Sequence, residues 1–308
     1  MIEFKNVKLN IKNIDILNDI SFSIDKNTAT CFVGNKNTGK SSILKLIAGI
    51  YKQYNGEILI DGKNINEAKK IKIGFVSQQR ENDTNLTVYE YLKFYGSIYN
   101  IASDEINKLI DESLKKFSLM SYKFTGLELL DNENYKLLDI IRVMICDPEI
   151  ILFDNLFFSD NIDYNEKLHE FVQELKGKKT LIFASRNLNH IEDICENIGI
   201  LDHGELIAFG NKEEIYKITE LGNKIEVKIN SGLQEALNCL KSQENITNIV
   251  YDDYSITFSI YGENQLSQTK KNELENIVLK KLIDNNVSVY SFKKERVRFE
   301  QLFGKLKE

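Results

Sequence analysis

Residues 34–42 read GNKNTGKSS, between TATCFVG (28–34) and KSSILKLIAGI (40–50). The first flank is a short β-branched, apolar run, the pattern of a buried strand. The second carries its apolar residues at helical spacing. A glycine turn between strand and helix presents backbone amides at a helix N-terminus, where they cradle phosphate oxygens. The pattern G-x-x-x-x-G-K-S/T runs from Gly34 through Gly39, Lys40 and Ser41, with Asn35, Asn37, Thr38 and Ser42 completing the segment. In that pattern the lysine reaches the β- and γ-phosphates and the hydroxyl ligates magnesium. With glycine at about 7% of average usage, chance supplies about one such match per hundred chains of this size. The strand–loop–helix context lowers that further.

Downstream, EIILFD (149–154) is a second buried run, ending in Asp154. Alone, a strand-end Asp reads as a turn cap. Paired with the upstream loop it becomes the second half of a site, since phosphate-loop proteins place there the carboxylate of the magnesium shell. The expected ligands are a nucleoside triphosphate and Mg2+.

IKIGFVS (71–77) and KTLIFAS (179–185) are further continuous apolar runs, as parallel strands covered on both faces should be. The class is α/β. Between Gln78 and Asp147 the pattern turns helical, giving a helical subdomain over about 84–146. Thr87 and Glu90 make a capping box ahead of Tyr91, Leu92 and Phe94. Ile106, Leu109, Ile110, Leu114 and Phe117 share one helical face. IGILDHGELIAFG (198–210) signals a hairpin around His203–Gly204. Beyond it the order β-α-β-β-α-β predicts a small ferredoxin-like α+β domain. The expected domains are 1–221 and 222–308, divided near Leu221–Gly222. Phe299, Leu302, Phe303 and Leu306 have the spacing of a closing helix.

Bulk numbers agree with two soluble domains. The chain has 308 residues, 42% apolar and 28% charged, ordinary for globular proteins. A net charge of -6 without clustered Lys and Arg argues against a nucleic-acid partner. Cys31, Cys146, Cys195 and Cys239 are scattered, which fits a reduced compartment and core packing better than disulfides or zinc. The N-terminal residues MIEFKNVKLN lack a signal-peptide core, and no uninterrupted apolar run reaches the roughly 18 residues of a membrane span. The chain reads as cytosolic.

Several landmarks in order resemble the nucleotide-binding subunit of an ABC transporter. IEFKNV and ILNDISFSI lead into the phosphate loop, and IGFVSQ puts Gln78 at the family's linking glutamine, a further magnesium-site residue. TVYEYLKFYGSIYN, RVMICDPEIILFD and CENIGILDHGELIAFG resemble the segments that follow. The C-terminal domain, ending VRFEQLFGKLKE, looks like the appendage of export-type subunits. The resemblance implies a phosphate-loop NTPase fold of ABC ATPase type. It also implies an integral membrane transporter subunit as partner, and a second ATP-binding subunit with which two nucleotides are sandwiched. The chain would then lie on the cytoplasmic face of the membrane through that partner.

Departures from the family decide the expected chemistry. The glutamate that usually follows the strand-end Asp is Asn155, and the histidine that meets the γ-phosphate aligns with Arg186. An amide orients water but takes no proton, and a positioned base contributes about a hundred- to ten-thousand-fold. Arg186 favours clamping a phosphate, being always charged. His190 reads as a helix surface residue. The signature segment aligns with LDNEN, Leu130–Asn134. There Asp131 and Glu133 bring charge toward a facing anion, or Asp131 simply caps a helix. Ile11 stands at the adenine-stacking aromatic position and Asn37 at a loop glycine. The expectation is a subunit that holds Mg·ATP and hydrolyses it poorly or not at all. Pairing with an intact second subunit fits better than a homodimer. A non-transport ATP-sensing regulator and an active ATPase with another base are the alternatives.

Overall fold

The computed structural model describes residues 1–67, 71–80, 85–186, 193–211, 214–215, 224–243, 246–260 and 268–295. The chain divides into two compact units, Met1–Phe209 and Gly210–Glu308. The expected boundary at Leu221–Gly222, His190, the start of the helical stretch at 84 and the closing helix with Phe299, Leu302, Phe303 and Leu306 lie outside the described residues.

In the first unit, β1 (Ile2–Ile11), β2 (Ile14–Ile24), β4 (Asn55–Ile60) and β5 (Lys63–Asn64) make an antiparallel sheet ordered β2-β1-β4-β5. Only one face of β1 is covered, so Ile2, Phe4, Val7 and Leu9 are buried and Glu3, Lys5 and Lys8 stay near solvent. A second sheet holds β3 (Ala29–Val33), β6 (Ile73–Val76), β7 (Ile150–Asp154), β8 (Thr180–Ser185), β9 (Asn197–Asp202) and β10 (Glu205–Asn211), ordered β10-β9-β3-β8-β7-β6. Every residue of β3, β7 and β8 is buried, which is why their sequences run apolar without alternation. The strands β6, β7, β8, β3 and β9 are mutually parallel, in register at Val76↔Phe153, Asp154↔Ala184 and Val33↔Ser185. Their carboxyl ends therefore line one edge, where open α/β sheets bind ligands.

Helix α1 (Lys40–Ile47) follows β3 and buries Ile43, Leu44, Leu46 and Ile47. Helices α2 (Val88–Ile98), α3 (Ser103–Lys116) and α4 (Asn132–Met144) lie between β6 and β7 in sequence, and α5 (Ile162–Leu175) follows β7. Thr87 caps α2 with Glu90 in a reciprocal capping box. Tyr91 and Leu92 are buried there, while Phe94 turns away and is 54% exposed. In α3, Ile106, Ile110 and Leu114 face inward.

The second unit comprises β11 (Lys224–Ser231), α6 (Leu233–Lys241), β12 (Ile246–Tyr251), β13 (Ser255–Ile260), α7 (Gln268–Asp284) and β14 (Ser288–Glu295). Its sheet is antiparallel, ordered β12-β13-β11-β14. Ile225, Val227, Ile256 and Phe258 pack against Ala236 and Leu240 of α6 and Leu282 of α7. Among the described residues no helix is long and apolar enough to cross a membrane.

Candidate nucleotide site

The loop from Gly34 to Gly39 leaves β3 and turns directly into α1. Two glycines make that turn possible. A side chain on Gly34 would come within 2.3 Å of the Leu201 carbonyl oxygen. Gly39 has φ +97°, and a Cβ there would meet Leu17 Cδ2 at 2.4 Å. Asn37 also has positive φ, 65°, which asparagine tolerates better than most residues. So the position where the resemblance implies glycine keeps a left-handed backbone.

Lys40 is 7% exposed. Its ammonium donates to the carbonyls of Gly34 (2.8 Å) and Asn35 (2.6 Å) and to Thr38 Oγ1 (3.1 Å). Burial and the Arg186 charge push its pKa down to about 8, with Asp154 pulling the other way. Neutral acceptors hold this cation now, and an anion in the loop is a better partner.

Asp154 ends β7 at 4% exposure, and Ser41 Oγ donates to its Oδ1 at 2.9 Å. Burial raises the Asp154 pKa, opposed by the Ser41 bond and by Lys136, Lys45 and Lys40. A buried carboxylate touching a hydroxyl at the mouth of a phosphate loop is a hard oxygen donor pair that suits magnesium. The residues therefore fit the ion: Ser41 and Asp154 would hold it, and it would neutralise phosphate charge.

Asn155 follows with φ 53°, its backbone N–H donating to the Ala184 carbonyl at 2.8 Å. Arg186 follows β8 and is exposed. An open cleft of ≈ 530 Å³ brings together Asn37, Thr38, Gly39, Lys40, Ser41, Ser42, Gln78, Asp154, Asn155 and Arg186. Gly34 and Asn35 form the floor of the loop through their bonds to Lys40. Ile11 is not among the residues lining this cleft. Ile16, on β2, is one of them.

The LDNEN segment spends its charges within the chain. Asp131 caps α4, accepting from the Asn134 backbone (2.7 Å) and side chain (2.8 Å). Glu133 accepts from Ser159 Oγ and from Asn161 Nδ2, the latter at 2.8 Å. Of the two readings of Asp131, the helix cap is the one observed.

One buried charged cluster went unread in the sequence. Lys136, Asp139 and Arg142 stand at three-residue intervals on α4 and bond either β6, the edge of the large sheet, or Ser77 just after it. Arg142 donates to the Phe75 carbonyl at 2.9 Å, Asp139 accepts from the Ser77 amide at 3.2 Å, and Lys136 donates to the Ser77 carbonyl. The signal was present: three charges in the otherwise apolar run YKLLDIIRVM (135–144) mark a helix whose polar groups are buried rather than solvated.

A family profile described as ABC transporter matches residues 17–157. The linearmycin resistance ATP-binding protein of Bacillus subtilis is 24% identical over 98% of this chain and 97% of its own length. An energy-coupling factor transporter ATP-binding protein of Fusobacterium nucleatum is 29% identical over 83% of this chain and 100% of its own. Among solved structures, an ATP-binding subunit of an ABC transporter superposes with a TM-score of 0.65 at 20% identity, covering 72% of this chain and 94% of that one. Residues 17–157 thus match the ABC transporter profile, and the chain shares the fold of a solved ABC transporter ATP-binding subunit.

Proposed function

We propose that this chain is the ATP-binding subunit of an export-type ABC transporter, one that holds Mg·ATP and hydrolyses it weakly or not at all. Asn155 carries the reading. It sits beside Asp154 in the cleft with Lys40 and Gln78, and offers an amide where the family resemblance implies a carboxylate. Without a base the chemical step loses about a hundred- to ten-thousand-fold, while loop, lysine and carboxylate keep their grip.

The export assignment rests on the Bacillus subtilis resistance protein, whose match runs nearly the whole length of both chains and so takes in the second unit. The energy-coupling factor relative leaves more of this chain unmatched. In this reading α2, α3 and α4 form a helical subdomain of about 84–146 that serves an integral membrane partner. The strand order of the second unit, with β11 and β13 central, supports a ferredoxin-like accessory domain over 222–308. A second ATP-binding chain with an intact signature segment completes the site.

The test is phosphate release from the full chain with Mg·ATP, over single and multiple turnovers, beside Lys40→Ala and Asn155→Glu. Wild type is expected to retain intact ATP that Lys40→Ala does not, with Asn155→Glu releasing phosphate faster. Steady multiple-turnover release by wild type, abolished by Lys40→Ala, would sink the proposal.

A further inference from the structure

Behind the nucleotide cleft lies a smaller cavity of ≈ 230 Å³ that shares Gln78, Gln79 and Asn155 with it. Lys136 lines this cavity at 6% exposure. Its ammonium donates to the Ser77 carbonyl and lies 5.9 Å from the Phe158 ring centroid. A buried ammonium is costly unless another charge compensates it, and one neutral carbonyl is a poor substitute.

Two carboxylates act on Lys136, those of Asp139 and Asp154. Asp139 is already engaged, gripped by Arg142 at 2.6 Å and by the Ser77 amide. Asp154 is bonded to Ser41 and is the carboxylate suited to magnesium. A divalent ion there cancels the charge that Lys136 relies on. Among the described residues that line the cavity, Arg80 and Lys136 then stand against the carboxylate of Asp139, an excess of positive charge beside Asn155.

We propose that Lys136 is the counter-charge to a terminal phosphate, the residue by which this site distinguishes a nucleoside triphosphate from a diphosphate. The inference rests on the Mg·nucleotide reading above and names a residue outside the phosphate loop. A purely structural Lys136 would instead pin β6 and leave both nucleotides equally served.

The experiment is equilibrium binding of Mg·ADP and of a non-hydrolysable Mg·ATP analogue to the full chain. The variants are Lys136→Met, Lys136→Arg and Lys40→Ala, each checked by its thermal midpoint. Loss of one charge-assisted contact predicts that Lys136→Met weakens the triphosphate at least about tenfold and the diphosphate less than about twofold. Lys136→Arg keeps the charge, should recover most of the difference, and reports on the proposal even if the Met variant folds poorly. Equal weakening of both nucleotides, or of neither, overturns the assignment. Binding of neither nucleotide by wild type, or undiminished binding by Lys40→Ala, overturns the nucleotide reading itself.

Discussion

Lys40 shows how one residue's surroundings set what the cleft can do. Burial and the Arg186 charge lower its pKa to about 8, below the value near 10.4 of a solvated lysine. Between those values the folded chain binds fewer protons than the unfolded one, so its contribution to stability rises with pH through that window. Phosphate binding has the opposite sign, because it needs the ammonium. Affinity for Mg·ATP should fall about tenfold between pH 7 and pH 9, and binding near pH 8 should take up about half a proton. Calorimetry in two buffers of different ionisation enthalpy reads that proton. Lys40→Arg, which cannot titrate here, should bind without uptake, and uptake persisting in it would assign the proton elsewhere. Lys40, Ser41 and Asp154 were legible from the phosphate-loop spacing and from a carboxylate at the end of an apolar strand, while Asn155 and Arg186 were placed beside them by the family resemblance. Lys136 was not, since a lysine in a helix reads as solvated until β6 is placed beneath it.

The element that decides the cleft's far wall is α4. Its N-terminus is capped by Asp131, and its body is tied to β6 at Phe75 through Arg142 and to Ser77, just beyond the strand, through Lys136 and Asp139. A sheet edge needs a cover, and α4 lies against this one. Arg142→Met removes the cation that grips the buried Asp139 carboxylate, and loss of one partner of a buried ion pair costs about 3–5 kcal/mol. Urea unfolding followed in the first unit should show that loss, and a change below about 1 kcal/mol would mean that Asp139 finds another partner. The strands of the large sheet were readable, as was the turn at His203 and Gly204, with φ 46° and 81°, the paired positive values of a two-residue hairpin. The strand order was not. β3 lies between β8 and β9, neighbours about 150 residues away in sequence, and no local pattern encodes a partner at that distance. The pairing of β1 with β4 escaped for the same reason, since the two meet across β2, β3 and α1.

At the scale of the whole molecule the two units divide the work, because every residue lining the cleft belongs to Met1–Phe209. Saturation with Mg·ATP at a hundredfold excess over Kd should stabilise that unit by about 2.7 kcal/mol. In a thermal scan of the full chain the transition of the second unit should stay where it was. Assembly follows from the same charge accounting. In the family arrangement each nucleotide is completed by the helix N-terminus of a facing chain. In this chain Asp131 takes up the Asn134 amide at that terminus, and its carboxylate and that of Glu133 bring negative charge there, which disfavours a facing anion. Mg·ATP should therefore leave this chain monomeric on its own, by sedimentation at saturating nucleotide. A second ATP-binding chain with glycines in its signature segment should form a Mg·ATP-dependent dimer with it, lost on Lys40→Ala. Nucleotide-dependent self-association of this chain alone would mean that Asp131 and Glu133 yield to a facing phosphate, and the pairing with a different subunit would lose its physical basis.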